Sequence, residues 1–551
     1  MALFTKPIEL GTLFDDLAAR GHATTVHLSR PLDIAPELGT ALDLPGLARL
    51  VSEAAGWLAA AGVRRGDRVA VAKRNHWDYV LLSCAAARIG AVPASLSADL
   101  PLDELETLLK RLEPALLVAD RELLTAGRER GCDMACLAVR TLVVDGAAEG
   151  ALTVDDVRGH AAPPPYRPLP DEPLAIMHTS GTTGVPKLVV HSTHTIMRRL
   201  AGFEAHRWPV LGSRPGDVVA GALSFAHGRA LAWTASVLWQ DPARLLVVSA
   251  ADWDEAGPFL DRHRPTTLEA PPATYVRWRH RAEGKPEGKA GERAEGRAEG
   301  RSAAFERIRL YISTFDAVHP HTVRAFLGAT RHRRPVWLQG WGQSETGPLT
   351  FRFLTRRAMT GALGGRLDMR HLGRPVPTRT RLRVVDPQTL RPAPRGVAGL
   401  VYCRTEALCL GYIGERSRWL SKLRGRWWNT GDVGVLTPTG GLRLMDREVD
   451  AIPGTSCLEL EDRIEDRVPE VLECVVLGLP GHLPLPVVVT GNGALDRGSW
   501  RRATADLPPL AEPVVLTWDQ VPRTGSGKVR RMELRDRIGE TREIHGTGRW
   551  T

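Results

Sequence analysis

Over the first 170 residues of the chain, segments with apolar side chains at helical spacing alternate with short, strand-like apolar runs. Residues 48–61 (ARLVSEAAGWLAAA) carry apolar side chains at helical spacing, and residues 68–72 (RVAVA) form a short apolar run that is typical of a buried strand. A helical pattern over 79–90 and a strand-like run over 91–96 repeat this order. Because strands that alternate with helices form mostly parallel sheets covered by those helices, the pattern predicts an α/β fold.

Two later segments interrupt this alternation. Residues 281–301 (RAEGKPEGKAGERAEGRAEGR) are almost free of apolar side chains and rich in glycine, so they predict a mobile surface insertion; a protein-docking arm stays open as the alternative. Residues 446–454 combine a charged turn with a Pro-Gly pair, and the final hundred or so residues have a helix and strand pattern of their own. The sequence therefore predicts an N-terminal domain over 1–446 and a smaller α+β domain over 447–551.

Composition narrows the class of protein. With 551 residues, 43% hydrophobic and 25% charged, the chain has the balance of a folded protein, and no apolar run reaches the roughly 18 residues of a spanning helix. The start, MALFTKPIEL, lacks a secretory signal, so we expect a cytoplasmic protein with no membrane span. The net charge of +10 is spread without a basic and aromatic cluster, which argues against a nucleic-acid partner. Only eight of the 73 basic residues are lysine.

Residues 179–187 (TSGTTGVPK) combine hydroxyl side chains, glycines and one lysine between two apolar runs, LAIM and LVVHS. Backbone N–H groups that a ligand can approach closely, extra hydroxyl donors and a positive charge are what a polyphosphate needs. The segment lacks the Gly-Lys-Ser/Thr ending of a Walker loop, and a strand rather than a helix is predicted after it. It therefore predicts a phosphate loop of another kind.

Four more motifs follow in a fixed order: residues 341–346 (WGQSET), 430–432 (TGD), 446–447 (DR) and 522–528 (PRTGSGK). Together with TSGTTGVPK they resemble the adenylate-forming superfamily, which includes acyl-CoA and aryl-CoA synthetases, peptide-synthetase adenylation domains and luciferases. The resemblance covers essentially the whole chain. It implies a large multi-sheet N-terminal adenylation domain and a smaller, mobile C-terminal domain that closes over the active site between them.

The resemblance also implies roles for individual residues. ATP would be held at its β- and γ-phosphates by the loop residues Thr179, Ser180, Gly181, Thr182, Thr183, Gly184 and Lys187. Glu345 would hold Mg²⁺, and Ser344, where the family has Thr, would contact the α-phosphate. Trp341 would lie against adenine, Asp432 would bind the ribose hydroxyls, and Arg447 would support the sugar or the phosphate.

Lys528 is the expected catalytic lysine, because a mobile lysine loop can bridge the reacting carboxylate and the α-phosphate as charge builds. The resemblance also places His227, Asp316 and Gly340 in the substrate pocket, although a purely structural role for His227 stays open. The implied first step is attack of an acid on ATP, giving an acyl-AMP and pyrophosphate.

Two departures from the family pattern bear on the substrates. Residues 313–316 read STFD where the family has Ser-Gly-Gly-Ala, so larger side chains predict a small or polar acid. In residues 446–465 the family residues of the hinge, and of the loop that helps to form the pantetheine tunnel, are replaced by Val449, Pro453, Ser456, Glu461 and Arg463. The adenylation residues are therefore intact, whereas the thiolation residues are eroded.

The sequence favours an ATP-dependent acid ligase that passes a small-molecule acid to CoA or to the pantetheine of a carrier protein. Two alternatives stay open: transfer to a non-thiol nucleophile such as an amine, including activation of nitrite for diazo formation, and a non-catalytic ATP-binding relative. A serine hydrolase is disfavoured, because residues 342–346 lack the final glycine of a nucleophile elbow.

Overall fold

A computed structural model describes residues 7–179, 185–284, 302–360, 368–447, 456–478 and 482–542. The fold is mixed α/β with several sheets, as the sequence predicts. No described helix is both long and apolar enough to span a bilayer.

The strands, in chain order, are β1 (Thr25–Leu28), β2 (Ala41–Leu42), β3 (Arg68–Lys73), β4 (Val92–Ser97), β5 (Leu116–Ala119), β6 (Arg140–Val143), β7 (Leu152–Thr153), β8 (Pro173–His178), β9 (Leu188–Ser192), β10 (Val218–Gly221), β11 (Arg244–Val247), β12 (Thr267–Ala270), β13 (Leu310–Ser313), β14 (Val336–Gln343), β15 (Gly347–Thr355), β16 (Arg374–Pro375), β17 (Thr380–Val385), β18 (Ala398–Thr405), β19 (Gly411–Tyr412), β20 (Leu423–Arg424), β21 (Trp427–Leu436), β22 (Leu442–Arg447), β23 (Val471–Leu477), β24 (Leu485–Thr490) and β25 (Val514–Leu516). The α-helices are α1 (Leu13–Ala19), α2 (Leu44–Ala60), α3 (Asp78–Arg88), α4 (Leu102–Leu112), α5 (Arg121–Glu129), α6 (Val154–Val157), α7 (Gly202–Glu204), α8 (Gly228–Trp239), α9 (Trp253–His263), α10 (Pro272–Glu283), α11 (Pro320–Ala329), α12 (Arg356–Met359), α13 (Arg416–Lys422), α14 (Cys457–Arg467), α15 (Arg497–Thr504) and α16 (Arg531–Arg542). Thr193–Ala201 forms a π-helix.

Two large sheets form most of the molecule. One has eight strands in the order β19-β9-β8-β4-β3-β5-β6-β7, and the other has nine in the order β16-β15-β14-β13-β12-β10-β11-β1-β2. Each has a run of six parallel strands, from β8 to β7 in the first sheet and from β14 to β1 in the second. One apolar cluster joins residues of both sheets with α2, α3 and α8, and every residue of α3 is buried. These helices therefore form a shared core between the two sheets.

A five-stranded antiparallel sheet follows, in the order β17-β18-β21-β20. Its fifth strand, β22, pairs with residues 432–436 of β21, whereas β20 pairs with residues 427–428. The last region has its own three-stranded sheet, β23-β24-β25, and two apolar clusters made only of residues beyond 456. Ion pairs hold this region against the large sheets, including Arg530 with Glu104 at 2.7 Å and His319 with Asp462 at 2.8 Å. The domain boundary near residue 446 stays a prediction, because residues 448–455 lie outside the described ones.

The start of the predicted insertion is helical. Helix α10 runs through Glu283, and Gly284 ends it with a positive φ of 71°. The Glu283 carboxylate lies 2.9 Å from His321 Nε2, which stabilises this last turn. Residues 285–301 lie outside the described residues.

Candidate active site

The segment TSGTTGVPK connects two antiparallel strands, β8 and β9, so a strand does follow it. The Thr179 N–H donates to the Lys187 carbonyl oxygen at 3.0 Å, and the Lys187 N–H donates to Thr179 Oγ1, also at 3.0 Å. Ser180, Gly181, Thr182, Thr183 and Gly184 lie outside the described residues. The two ends of the loop are thus tied together, and this fixes where the Lys187 side chain leaves the sheet.

Lys187 lies in a cluster with Tyr412 and Glu345. Its Nζ lies 5.7 Å from the centre of the Tyr412 ring, and Tyr412 Oη donates to Glu345 Oε1 at 2.6 Å. Burial lowers the pKa of Lys187, whereas the nearby Glu345 carboxylate opposes that shift. Burial and the same carboxylate raise the pKa of Tyr412 well above its usual value, so the phenol remains a donor. Tyr412 was not identified from the sequence, because it lies 67 positions from Glu345.

Glu345 has the chemistry of a cation ligand. Its side chain is 6% exposed, and no described residue donates a hydrogen bond to its second oxygen, Oε2. Among the described residues there is no group of three or more His, Cys, Asp or Glu side chains suited to a metal. A Mg²⁺ that arrives with a nucleotide needs only one or two carboxylates besides phosphate oxygens and water, and Glu345 fits that requirement.

Residues 341–343 end β14, and residues 344–346 form the hairpin turn that leads to β15. The Thr346 N–H donates to the Gln343 carbonyl oxygen at 3.1 Å, which closes the turn at Ser344. The Ser344 carbonyl oxygen lies 2.8 Å from His191 Nε2, and the Cys409 N–H donates to the Glu345 carbonyl oxygen at 2.8 Å. Because Ser344 lies in a β-hairpin and not between a strand and a helix, the geometry is not that of a nucleophile elbow.

Asp432 is positioned by a residue that the sequence did not single out. Gln343 Nε2 donates to the Thr430 carbonyl oxygen at 2.6 Å and to Asp432 Oδ2 at 3.3 Å. The Trp428 indole N–H donates to Gln343 Oε1 at 3.2 Å and so fixes the orientation of the amide. Arg447 pairs with Asp432 in the β21–β22 ladder, and its side chain is not among the described ones.

A first cavity lies between the large sheets and the C-terminal region. It is lined by Asp316, Gln339, Trp341, Asp432, Glu461 and Lys528, among others. Gln339 Oε1 is buried and accepts no hydrogen bond from any described residue. An unsatisfied acceptor, a flat indole and a buried carboxylate in one cavity fit the exocyclic amine, the ring and the ribose of adenosine.

A second cavity adjoins the first. Its lining includes Met177, Ile196, Glu204, His227, Thr314 and Ser344. Five residues line both cavities: Phe315, Gly340, Gly342, Gln343 and Lys528. Asp316 lines the first cavity and is not in the lining of the second, whereas Gly340 lies at the junction.

His227 caps a helix and also lines the second cavity. Its Nδ1 accepts the Arg229 N–H at 3.0 Å and caps the N-terminus of α8, while its Nε2 lies 3.4 Å from Ser344 Oγ. Burial, followed by the charge of Lys528, lowers the pKa of His227 to about 3. The imidazole is therefore neutral at physiological pH, with Nε2–H directed at Ser344.

The loop that carries Lys528 fits closely against the large sheets. The Thr524 N–H donates to the Lys528 carbonyl oxygen at 2.8 Å, and Gly527 has a φ of 80°. A Cβ on Gly525 would lie 2.6 Å from Ser97 Oγ, and one on Gly527 would lie 2.6 Å from Ala273 Cβ. Both glycines are thus required for the approach that places Lys528 in both cavities.

Phe315 has strained backbone geometry. Its φ is 85°, a region that favours glycine, and its ring meets His227 edge-on with the two centroids 4.7 Å apart. Strained residues of this kind cluster at functional sites, and Phe315 lines both cavities. The ring occupies the junction of the two cavities, where a glycine would leave space.

We expect Phe315→Gly to admit larger acids and to release strain. Its kcat/KM for a bulky acid should rise by about tenfold relative to a small one, as for a pocket enlarged by several methylenes. Phe315→Ala removes the same ring but keeps a Cβ at positive φ, so the glycine variant should be more stable to urea by about 1 kcal/mol. An alanine variant as stable as the glycine variant would show that the backbone is not strained.

Comparison with known proteins finds relatives over nearly the whole chain. The family model described as AMP-binding enzyme matches residues 39–413. The chain is 37% identical over 550 residues to 3-amino-2-hydroxy-4-methoxybenzoate diazotase from Streptomyces cremeus, covering 95% of this chain and 94% of that protein. It is 26% identical to a feruloyl-CoA synthase from Amycolatopsis sp, covering 91% and 95%. The ATP-bound MatB structure from Rhodopseudomonas palustris superposes with a TM-score of 0.73 at 24% identity, covering 96% and 99%, which shows a shared fold.

Proposed function

The chain belongs to the AMP-binding enzyme family, and from that premise we propose that it is an ATP-dependent diazotase. It activates nitrite as an adenylate and transfers the nitrosyl group to the amine of an amino-substituted aromatic acid. The structural feature that supports adenylation is the junction of the two cavities at Lys528, since nucleotide and acid must meet there. The amine acceptor is supported by the 37% identity to a diazotase over nearly the whole chain.

The proposed positions follow from the linings. The adenosine occupies the first cavity against Trp341, Gln339 and Asp432, and Lys187 faces the outer phosphates. Glu345 would hold Mg²⁺, which neutralises charge on the phosphate oxygens when bound. The second cavity takes the acid and the amine, with Ser344 and Lys528 at the reacting end. Lys528 can counter the negative charge that builds on the α-phosphate, since it lines both cavities.

The proposed steps balance without an added oxidant or reductant. An oxygen of nitrite attacks the α-phosphorus, and the bond to pyrophosphate breaks, which leaves O=N–O–AMP. The amine nitrogen then bonds to the nitrosyl nitrogen, and AMP leaves with the electron pair of the N–O bond. Loss of a proton gives the N-nitrosamine, whose tautomer, the diazohydroxide, releases hydroxide to form the diazonium group.

The second candidate is an aryl-CoA ligase, which the 26% identity to a feruloyl-CoA synthase favours. Both functions share the first step and differ in the activated acid and in the final nucleophile. Of the hinge and loop residues that depart from the family pattern, Val449 and Pro453 lie outside the described residues, whereas Ser456 caps α14 and Glu461 and Arg463 lie within it. Substrate specificity therefore decides between them.

We expect AMP and pyrophosphate to form when the enzyme receives ATP, nitrite and an aminohydroxybenzoate, and the product to couple with a naphthol to give an azo dye. With ¹⁵N-nitrite, mass spectrometry should find one ¹⁵N in the diazo group. The comparison reaction contains ATP, CoA in place of nitrite, and the same benzoate without its amino group. Thioester formation in that reaction, without nitrite-dependent AMP release, would reject the diazotase in favour of the ligase.

A further inference from the structure

The second cavity ends in a buried charge network that adenylation does not require. Arg229, in the first turn of α8, donates from Nε to Glu269 Oε1 at 2.6 Å and from Nη2 to Glu269 Oε2 at 2.8 Å. Its Nη1 donates to Glu204 Oε2. Glu269 is fully buried, whereas Glu204 and Arg229 line the second cavity. The Arg229 guanidinium therefore holds the Glu204 carboxylate at the cavity wall.

Two oxygen acceptors at this wall have no partner in the described parts of the chain. Glu204 Oε2 is bound by Arg229, but no described residue donates to Glu204 Oε1. Thr314 Oγ1 is buried and has no hydrogen-bond partner among the described residues. Buried polar atoms are nearly always paired in native proteins, so an unpaired one that lines a cavity indicates a place for a ligand atom.

Glu204 and Thr314 lie on the part of the second cavity that continues into another one. A third cavity adjoins the second there, and the two share Glu204, Arg229, Thr314 and Pro348. Lys528 is absent from the lining of the third cavity, which includes aromatic side chains such as Trp233 and Phe351. A ring whose reacting group meets Lys528 would therefore present its far edge to Glu204 and Thr314.

The charges around Glu204 and Thr314 favour a ligand group that is a neutral hydrogen-bond donor over one that is a cation or an anion. A second arginine, Arg379, lies behind this wall, with its guanidinium 5.2 Å from the Phe203 ring centre and bonded to the Arg199 carbonyl oxygen at 3.4 Å and to the Pro348 carbonyl oxygen. Burial lowers the pKa of Arg379 to about 10. Two arginines thus balance the carboxylates of Glu204 and Glu269, and what faces the cavity is a pair of oxygen acceptors.

We propose that Glu204 Oε1 and Thr314 Oγ1 are specificity-determining groups that bind a hydroxyl or amino substituent on the far edge of the aromatic substrate. This inference rests on the proposed function for the location of the aromatic ring, but not on whether nitrite or a carboxylate is activated. A substituent that cannot donate, such as a methyl ether, leaves the carboxylate oxygen Glu204 Oε1 unpaired in the cavity. The site then discriminates against it, as sites built to bind a substrate hydroxyl do.

The test compares Glu204→Gln and Thr314→Val, both close in shape to the native residues. Substrates are pairs of aminobenzoates that carry either a hydroxyl or a methyl ether at one ring position. We expect the wild-type enzyme to bind at least one hydroxyl compound about tenfold or more tightly than the matching methyl ether. Each variant should reduce this affinity ratio, because it raises KM for the hydroxyl compound alone. The kcat for the ether should stay at the wild-type value.

Glu9→Gln is the matched control, because Glu9 pairs with Arg198 of the neighbouring π-helix and lines none of these three cavities. Arg229 keeps both bonds to Glu269 in Glu204→Gln, so the variant should fold, and thermal melting checks this. Titration calorimetry of the aromatic compound alone gives the same ratio without turnover. Equal losses for both members of a pair, or a wild type that does not distinguish them, would overturn the inference whichever acid is activated.

Discussion

Replacement of Lys528 by alanine is expected to slow nitrite-dependent formation of AMP by about 10²- to 10³-fold, while ATP still binds. That magnitude is typical for the loss of one donor that stabilises charge in a transition state. ATP retains the contacts proposed for Lys187, Glu345 and Asp432, none of which depends on the Lys528 loop. Single-turnover formation of AMP measures the rate, and equilibrium binding of a fluorescent ATP analogue measures affinity.

Lys528→Arg tests whether the positive charge at this position is sufficient for AMP formation or whether the shape of the lysine ammonium is also needed. Its guanidinium restores the positive charge but is broader and more rigid than the ammonium, so recovery should be partial. An independent readout is the imidazole of His227, whose pKa is lowered by burial and by Lys528. In Lys528→Ala that pKa should rise, which NMR can follow. Near wild-type AMP formation in the alanine variant would reject the assignment of Lys528, and an unchanged His227 pKa would show that Lys528 does not reach the site in solution.

Glu345→Gln is expected to lower the rate of AMP formation by about 10²- to 10³-fold and to raise the Mg²⁺ concentration needed for half-maximal rate. A bound metal ion stabilises transition-state charge by several kcal/mol, and each ~1.4 kcal/mol is a factor of ten. The amide oxygen of glutamine can still accept the hydrogen bond from Tyr412, so the fold should be preserved. A titration of the rate with Mg²⁺ at saturating ATP is the measurement.

Tyr412→Phe is the matched control for this substitution. It removes the 2.6 Å hydrogen bond to Glu345 but leaves the carboxylate in place and keeps an aromatic ring beside Lys187. We expect Tyr412→Phe to lower the rate of AMP formation by about tenfold or less. If Tyr412→Phe and Glu345→Gln gave equal losses and equal shifts in Mg²⁺ dependence, Glu345 would act through Tyr412 and not as a metal ligand.

Local patterns predicted the main elements well, and their ends less well. The helical pattern over 48–61 corresponds to α2, which begins four residues earlier because Asp43 accepts the Gly46 N–H at 2.7 Å and caps it. Residues 281–283 were assigned to the surface insertion by composition, yet they complete α10, where Glu283 meets His321 from a helix far along the chain. Contacts between distant segments decide such ends, and no local pattern contains them.

The strained backbone of Phe315 was likewise not evident from the sequence. The sequence predicted that STFD would narrow the substrate pocket, and the ring does lie at the junction of the two cavities. The positive φ could not be predicted, because it arises where the chain between β13 and α11 passes beside His227. Asp316 and His227, which were both expected in the substrate pocket, line different cavities: Asp316 lines the first and His227 the second.

The sequence by itself determined the α/β class, the strands on either side of TSGTTGVPK, and the order of the motifs, because periodicity and short motifs are properties of neighbouring residues. Only the tertiary structure decided which of these residues meet. Gln343 reaches Asp432 across 89 positions, Tyr412 reaches Glu345 across 67, and Arg229 reaches Glu269 across 40. These contacts arise from the pairing of strands and the packing of helices far apart in the chain. The last of them holds Arg229 at the polar wall of the second cavity, on which substrate choice is proposed to depend.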